Sequence, residues 1–360
     1  MGKNGRMLPT KGFSDMFNEP YRSGAFVRAG LLSTTLAVAL SATMLAGCSV
    51  GSTSATEGEG APSAQAESSQ AYTFTDDMGN EVTVENPQRV VACMGSFANT
   101  WELAGGTLVG ASDDAFTFDA FDIASPDVAK VGDFSSINLE AVIALEPDFV
   151  IMTCGTGGRG GDSSQADFKA ALDASGIPVA YFEATVFEDY LRMLRVFCDI
   201  TGRDDLYSRN GESVQQAIEQ AVSDMPEASE PSTALLMTTY SRGTRVLTSS
   251  SMAGDMLADL GVVNLADENR SLLSDFSLES VIELDPDYIF VIPMGNDTEV
   301  AMRNLEAQTA ENPAWATLSA VQEGRYIMLD PDLFLYKPNA KWAQSYETLA
   351  GHLAAGQNEA

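Results

Sequence analysis

Basic residues are scarce in this chain, with 20 Lys and Arg against 51 Asp and Glu. The places where they gather with aromatic and thioether side chains are therefore where binding chemistry is to be sought. Arg159, Arg242, Arg245 and Lys337 fall at or beside what read as strand ends, as do Met94, Phe97, Tyr240, Met294, Phe334 and Tyr336. Guanidinium and ammonium groups pair with anionic oxygens, and aromatic faces stack on flat groups or cations. Met94, Phe97, Arg159, Tyr240, Arg242, Tyr336 and Lys337 make a candidate ligand-binding set suited to a flat or bulky anion. Phe97 and Trp101 could instead pack their helix onto a sheet, and Arg245 sits inside a strand-like run.

No catalytic residue is expected. His352 is the only histidine and lies in the last helical stretch, so no Ser–His–acid arrangement can form around it. The same shortage argues against a site for free Zn²⁺ or Mn²⁺, and no cofactor is expected. Gly155 to Gly161 is glycine-rich but lacks the Gly-Lys-Ser/Thr ending of a phosphate loop. An enzyme would need titratable pairs in its cleft, and the strand ends are expected to supply almost no carboxylates. A surface enzyme or an adhesin on a two-lobed scaffold is the alternative reading.

The elements that must position these residues follow from pattern. Residues 72–84 alternate apolar and polar around Gly79-Asn80 and predict a hairpin. Apolar runs at 89–93, 108–110, 149–153 and 179–182 predict strands, separated by helices at 97–104, 141–144 and 167–174. Residues 186–225 show only helical spacing, broken at Thr201-Gly202-Arg203. Strands then return at 234–238, 245–248, 288–293 and 326–329, with helices at 252–260, 278–283, 305–310 and 340–353. The class is α/β with mainly parallel pairing. One unit occurs twice: Leu139, Glu140, Val142, Ile143, Leu145, Pro147 and Asp148 recur without a gap as Leu278, Glu279, Val281, Ile282, Leu284, Pro286 and Asp287. A unit used in both halves predicts two lobes with a cleft between them, and such clefts hold small ligands.

Arg22 and Arg28 precede an apolar run from Leu31 to Leu45, which ends in Leu45-Ala46-Gly47-Cys48. This is the plan of a secretory signal, too short for a stable span. It resembles a bacterial lipoprotein signal, which implies lipidation of Cys48 as the first mature residue. Met7 and Met16 are alternative starts. Residues 49–70, rich in Ser, Gly, Ala, Thr, Glu and Gln, predict a flexible tether. The leader holds five of the 20 basic and two of the 51 acidic residues, leaving 15 and 49 and a net charge of −34. Such a surface repels phosphate backbones, so no nucleic-acid partner is expected, and the membrane is reached through the lipid only. Of the remaining cysteines, Cys93 and Cys154 could bridge at strand ends, although three separate thiols with Cys198 is the preferred reading.

The lipoprotein signal, Thr75-Asp76-Asp77-Met78-Gly79-Asn80, Pro87-Gln88-Arg89-Val90-Val91, the doubled unit, Thr201-Gly202-Arg203 and Tyr336-Lys337-Pro338-Asn339 occur in an order that resembles the iron-chelate and vitamin B12 type substrate-binding lipoproteins of ABC importers. The resemblance runs from Cys48 to about His352. It implies two Rossmann-like lobes with mainly parallel sheets joined by a single long α-helix. The chain would divide into a signal peptide (1–47), lipidated cysteine and tether (48–70), N-terminal lobe (71–203), linking helix (204–225) and C-terminal lobe (226–360). It also implies an extracytoplasmic monomer anchored by Cys48, partnered by an ABC permease and its ATPase. The ligand would be a ferric siderophore, haem or a corrinoid. In that family one glutamate on each lobe docks on the permease, and Glu140 and Glu279 fall on those positions. Each lies in a first helical turn after an N-cap candidate, Asn138 or Ser277, where an acid also complements the helix dipole.

Overall fold

The computed structural model describes residues 71–155, 165–226, 230–274, 278–295 and 298–357. The N-terminal lobe opens on an antiparallel hairpin, β1 (Tyr72–Thr75) and β2 (Glu81–Val84). Its turn is built by Asp76, whose carboxylate accepts from the backbone N–H of Met78 at 3.1 Å, Asn80 at 2.8 Å and Tyr181 at 3.1 Å. The last of these ties the hairpin to the main sheet.

That sheet contains β3 (Val90–Ala92), β4 (Leu108–Ala111), β5 (Ala129–Lys130), β6 (Phe149–Thr153) and β7 (Val179–Phe182), all parallel, in the order β5–β4–β3–β6–β7. Strands β3, β6 and β7 are buried along their whole length. With both faces covered they read as unbroken apolar runs rather than alternating ones. Their side chains still alternate in space. Val90, Ala92, Phe149, Ile151, Ala180 and Phe182 join one cluster, while Val91, Val150, Met152, Val179 and Tyr181 join another.

The second half repeats the plan. Strands β8 (Thr233–Tyr240), β10 (Val263–Asn264), β11 (Tyr288–Pro293) and β12 (Tyr326–Met328) pair in parallel as β10–β8–β11–β12. Here β9 (Gly243–Leu247) departs from the first half, because it pairs antiparallel with β8. Only Ser241 and Arg242 separate the two strands, and a connection that short can only fold back. In both lobes the strand order reverses between two neighbours, β3 and β6 or β8 and β11.

The doubled sequence unit is doubled in space. The helices Leu139–Ala144 and Leu278–Leu284 feed β6 and β11, the strands beside each reversal. Glu146 and Asp285 occupy the same left-handed turn, at φ 47 and 41. The proline after each disfavours right-handed continuation. Asp148 then accepts from the N–H groups of Gln88 (2.7 Å) and Arg89 (2.8 Å) at the start of β3. Asp287 accepts from the N–H and hydroxyl of Thr233, at 2.8 and 2.7 Å, at the start of β8.

Between the lobes the chain is helical from Asp204 to Ser223, but it is not the uninterrupted α-helix expected: Ser208–Glu212 is a π-turn. The Tyr190 hydroxyl donates to the carbonyl of Asn210 at 2.9 Å, and the Asn210 amide donates to Leu103 O at 2.8 Å, so side-chain contacts anchor the widened turn. The C-terminal helix Trp342–Gln357 packs along Ser213–Ser223. One cluster of buried apolar side chains runs through both lobes, with a smaller one on the far face of each sheet. Cys93, Cys154 and Cys198 are all free thiols, so the possible Cys93–Cys154 bridge is absent. No helix among the described residues is long and apolar enough to cross a membrane.

Candidate ligand-binding cleft

In open α/β sheets the productive crevice lies beyond the C-terminal strand ends, at the order reversal. In the N-terminal lobe the helix Gly95–Leu103 starts there, directly after β3. The Gly95 N–H donates to Asp114 Oδ2 at 2.9 Å, which pins the end of β3 to the turn after β4. Only glycine fits at 95, because a Cβ would stand 2.7 Å from the Phe121 ring and 2.8 Å from Ala115 N.

The opposite wall comes from the C-terminal lobe, where the segment Tyr336–Asn339 leaves the short helix Pro331–Phe334. The Tyr336 ring stacks on Phe118 at 3.9 Å between centroids and 17° between planes. Its hydroxyl accepts from the N–H of Gly295, just past β11, at 3.3 Å. Lys337 and Asn339 are both left-handed, at φ 63 and 51. That backbone carries the Asn339 amide across to Ser96 O (2.9 Å) and Asn99 Oδ1 (2.8 Å). Between Tyr336 and Asn339, the half-buried Lys337 has its pKa lowered by burial, while the carboxylates of Asp114, Glu183 and Asp189 favour its charged form. Burial likewise raises the pKa of Asp114, against the Ser112 side chain and the Gly95 N–H, which stabilise its anion.

These residues sort the sequence expectations. Tyr336 and Lys337 lie at the contact between the lobes. Met94 is half-buried at the entry to the Gly95–Leu103 helix, its carbonyl accepting from Phe97 and Ala98. Phe97 is corrected: it is fully buried, packs edge-on against Phe182 at 6.4 Å and has no surface to offer a ligand. Tyr240 is half-buried at the end of β8, and Arg242 is exposed on the two-residue turn to β9. Arg159 lies outside the described residues, as do Cys48 and Ser277. His352 is half-buried on the C-terminal helix, its pKa lowered by burial. Among the described residues no group of His, Cys, Asp and Glu is arranged to hold a metal ion.

The expectation of a cleft almost without carboxylates is also corrected. Asp114 and Glu183 follow the ends of β4 and β7. Asp114 and Phe118 were legible only as an acidic and aromatic stretch, Ser112 to Phe121, after a strand that ends later than the apolar run suggested. Two cavities, of about 250 and 220 Å³, lie elsewhere. They are lined by Pro231, Ser232 and Val262, and by Pro87, Gln88 and Thr107, at the N-terminal strand ends.

Glu140 and Glu279 are both exposed in the first turns of matching helices. Asn138 caps the first helix by accepting from Ala141 N at 3.1 Å. Each helix runs back along its lobe before the next strand, so its first turn lies toward the strand C-terminal ends.

The sequence profile of the periplasmic binding proteins matches residues 90–333, both lobes and the helix between them. The chain belongs to this family. This periplasmic binding protein is 24% identical over 298 residues to the Fe(3+)-citrate-binding protein YfmC of Bacillus subtilis, a match covering 82% of the chain and 90% of YfmC. Its fold is shared with the siderophore-binding protein BauB, solved with two acinetobactin molecules and ferric iron (17% identity, TM-score 0.62, 80% of this chain and 98% of BauB). It is also shared with IsdE of S. aureus, solved with haem (14% identity, TM-score 0.58, 73% of this chain and 98% of IsdE). At such identities the two structures speak for the fold alone. The family is one of substrate-binding proteins, so the chain is a binding protein rather than an enzyme.

Proposed function

We propose that this protein captures a metal chelate, namely a ferric siderophore, haem or a corrinoid, in the cleft between its lobes and delivers it to the permease of an ABC importer. The observation that carries the reading is the Phe118–Tyr336 stack, an aromatic contact between two lobes at the strand ends where such folds take ligands. Aromatic faces suit flat chelates, and the half-buried Lys337 beside them supplies a cation. YfmC, named for an iron chelate, supports the same class. Delivery would use Glu140 and Glu279 as paired docking charges, and lipid on Cys48 would hold the body at the outer face of the cell membrane through the tether 49–70. The chain would work as a monomer divided at the boundaries set out above, 71–203, 204–225 and 226–360.

A thermal-shift panel on the full chain in detergent, against haem, cobalamin, ferric citrate and ferric hydroxamates, tests capture. A ligand at about 100-fold over its Kd should stabilise the fold by about 2.7 kcal/mol, a readily measured rise in Tm. A rise with one chelate class is the expected result. No rise with any of them would refute chelate capture.

A further inference from the structure

One short segment of the C-terminal lobe, residues 336–339, reaches the N-terminal lobe in three ways. The Tyr336 ring lies on Phe118 at 3.9 Å between centroids and 17° between planes. The Asn339 amide donates to Ser96 O at 2.9 Å and to Asn99 Oδ1 at 2.8 Å. Lys337, between them, stands in the field of three N-terminal-lobe carboxylates, Asp114, Glu183 and Asp189. The backbone of the segment is strained. Lys337 and Asn339 are left-handed at φ 63 and 51, a region that residues with a Cβ enter only when surrounding contacts impose it. Among the contacts here are the Asn339 bonds and the Tyr336 stack, both made to the other lobe.

These contacts part more readily than the rest of the lobe contact. Phe187 of the N-terminal lobe packs on Trp342 of the C-terminal lobe at 5.8 Å, and both side chains are closed into the core. Phe118 and Tyr336 are each half-buried, and Thr117 and Asp119 beside Phe118 are exposed. Local opening is drawn from such sparsely buried regions, so the 336–339 contact opens before the Phe187–Trp342 core does. At 3.9 Å the two rings touch. A chelate that uses either stacked face must therefore displace the other ring.

Resting on the reading of chelate capture, we infer that segment 336–339 is an autoinhibitory latch: with Phe118 and Ser96 it holds the cleft shut on itself, and a chelate enters only when the latch has parted. The latch limits the rate of capture, and it lowers apparent affinity by the fraction of molecules that are open. Its bonds belong to the shut state and are not remade on the ligand, so deleting one strengthens binding. A bond that shaped the bound state would have the opposite sign.

The test is stopped-flow tryptophan quenching of the full chain in detergent with haem, cobalamin and ferric citrate as probes. Asn339→Gly deletes the cross-lobe amide while keeping the left-handed turn without steric cost. It should speed association of the probe that binds by about 3- to 10-fold and lower its Kd by a similar factor, with dissociation nearly unchanged. Phe118→Ala should also speed association, and it should speed dissociation as well because the ligand loses a ring face. This second variant carries the test should Asn339→Gly fail to fold. Hydrogen exchange of the chain without any probe gives a separate readout. Both variants should speed exchange at least about threefold in peptides covering 95–103 on one lobe and 331–341 on the other. The inference fails, with chelate capture intact, if a probe binds but Asn339→Gly weakens it or leaves association unaltered. Unchanged exchange in both variants overturns it equally. No binding of any probe to wild type or variant would refute chelate capture and the inference with it.

Discussion

Asp255 sits half-buried on the C-terminal-lobe helix Met252–Asp259, within the field of Asp259 on its own helix and of Glu188 and Asp189 on the N-terminal-lobe helix Phe187–Thr201. The neighbouring acids are partly satisfied, Asp259 by the Tyr346 hydroxyl at 2.6 Å and Asp189 by Arg192 at 3.3 Å. Burial first, then these like charges, raise the Asp255 pKa from 3.8 to about 7. An acid whose folded-state pKa is raised binds more protons folded than unfolded, so its contribution to stability falls as pH rises from about 4 to about 7 and is worst above that window. Solvent screening keeps the effect small. Asp255→Asn should therefore raise Tm by about 2 °C at pH 8 and hardly at pH 4, as followed by circular dichroism. An offset that does not change with pH would show that Asp255 does not titrate in this window.

At the scale of elements, the doubled helix–turn–strand unit has a mechanical role in each lobe. Its closing aspartate clips the central strand by accepting from the chain just ahead of it, Asp148 from Gln88 and Arg89, Asp287 from Thr233. The unit was fully legible because its signals are local and occur twice. Its partners were not, since they lie 59 and 60 residues away for Asp148 and 54 for Asp287. Asp287 is the less exposed of the two. Asp287→Ala should cost about 1–2 kcal/mol in urea unfolding, and Asp148→Ala about 0.5–1 kcal/mol. Equal and negligible losses would mean that the clips are ornamental.

For the whole molecule, Glu140 and Glu279 gain meaning only as a pair. Singly, each merely complements a helix dipole. In the docking role proposed for them, their equivalent places on two lobes would present a two-point charge pattern to a partner, and paired rim charges govern register and association rate more than intrinsic affinity. Glu140→Ala with Glu279→Ala should leave chelate affinity unchanged and reduce uptake in cells carrying the cognate permease by on the order of tenfold or more. Undiminished uptake would remove the docking role.

The α/β class, the hairpin, the apolar strands and the twofold plan were determined by the sequence alone, because periodicity and repetition are properties of neighbouring residues. What each strand-end side chain is available for was decided by the tertiary structure. Phe97 and Phe118 are the same residue type near neighbouring strand ends, yet one is closed into the core against Phe182 and the other stacks on Tyr336 from the opposite lobe. Asp114 became a feature of the lobe contact only when the Gly95 N–H took one of its oxygens and the fold closed over it. The cross-lobe bond from Asn339 to Ser96 joins residues 243 positions apart. Burial, pairing and charge at the cleft are set by such distant contacts, which no local pattern encodes.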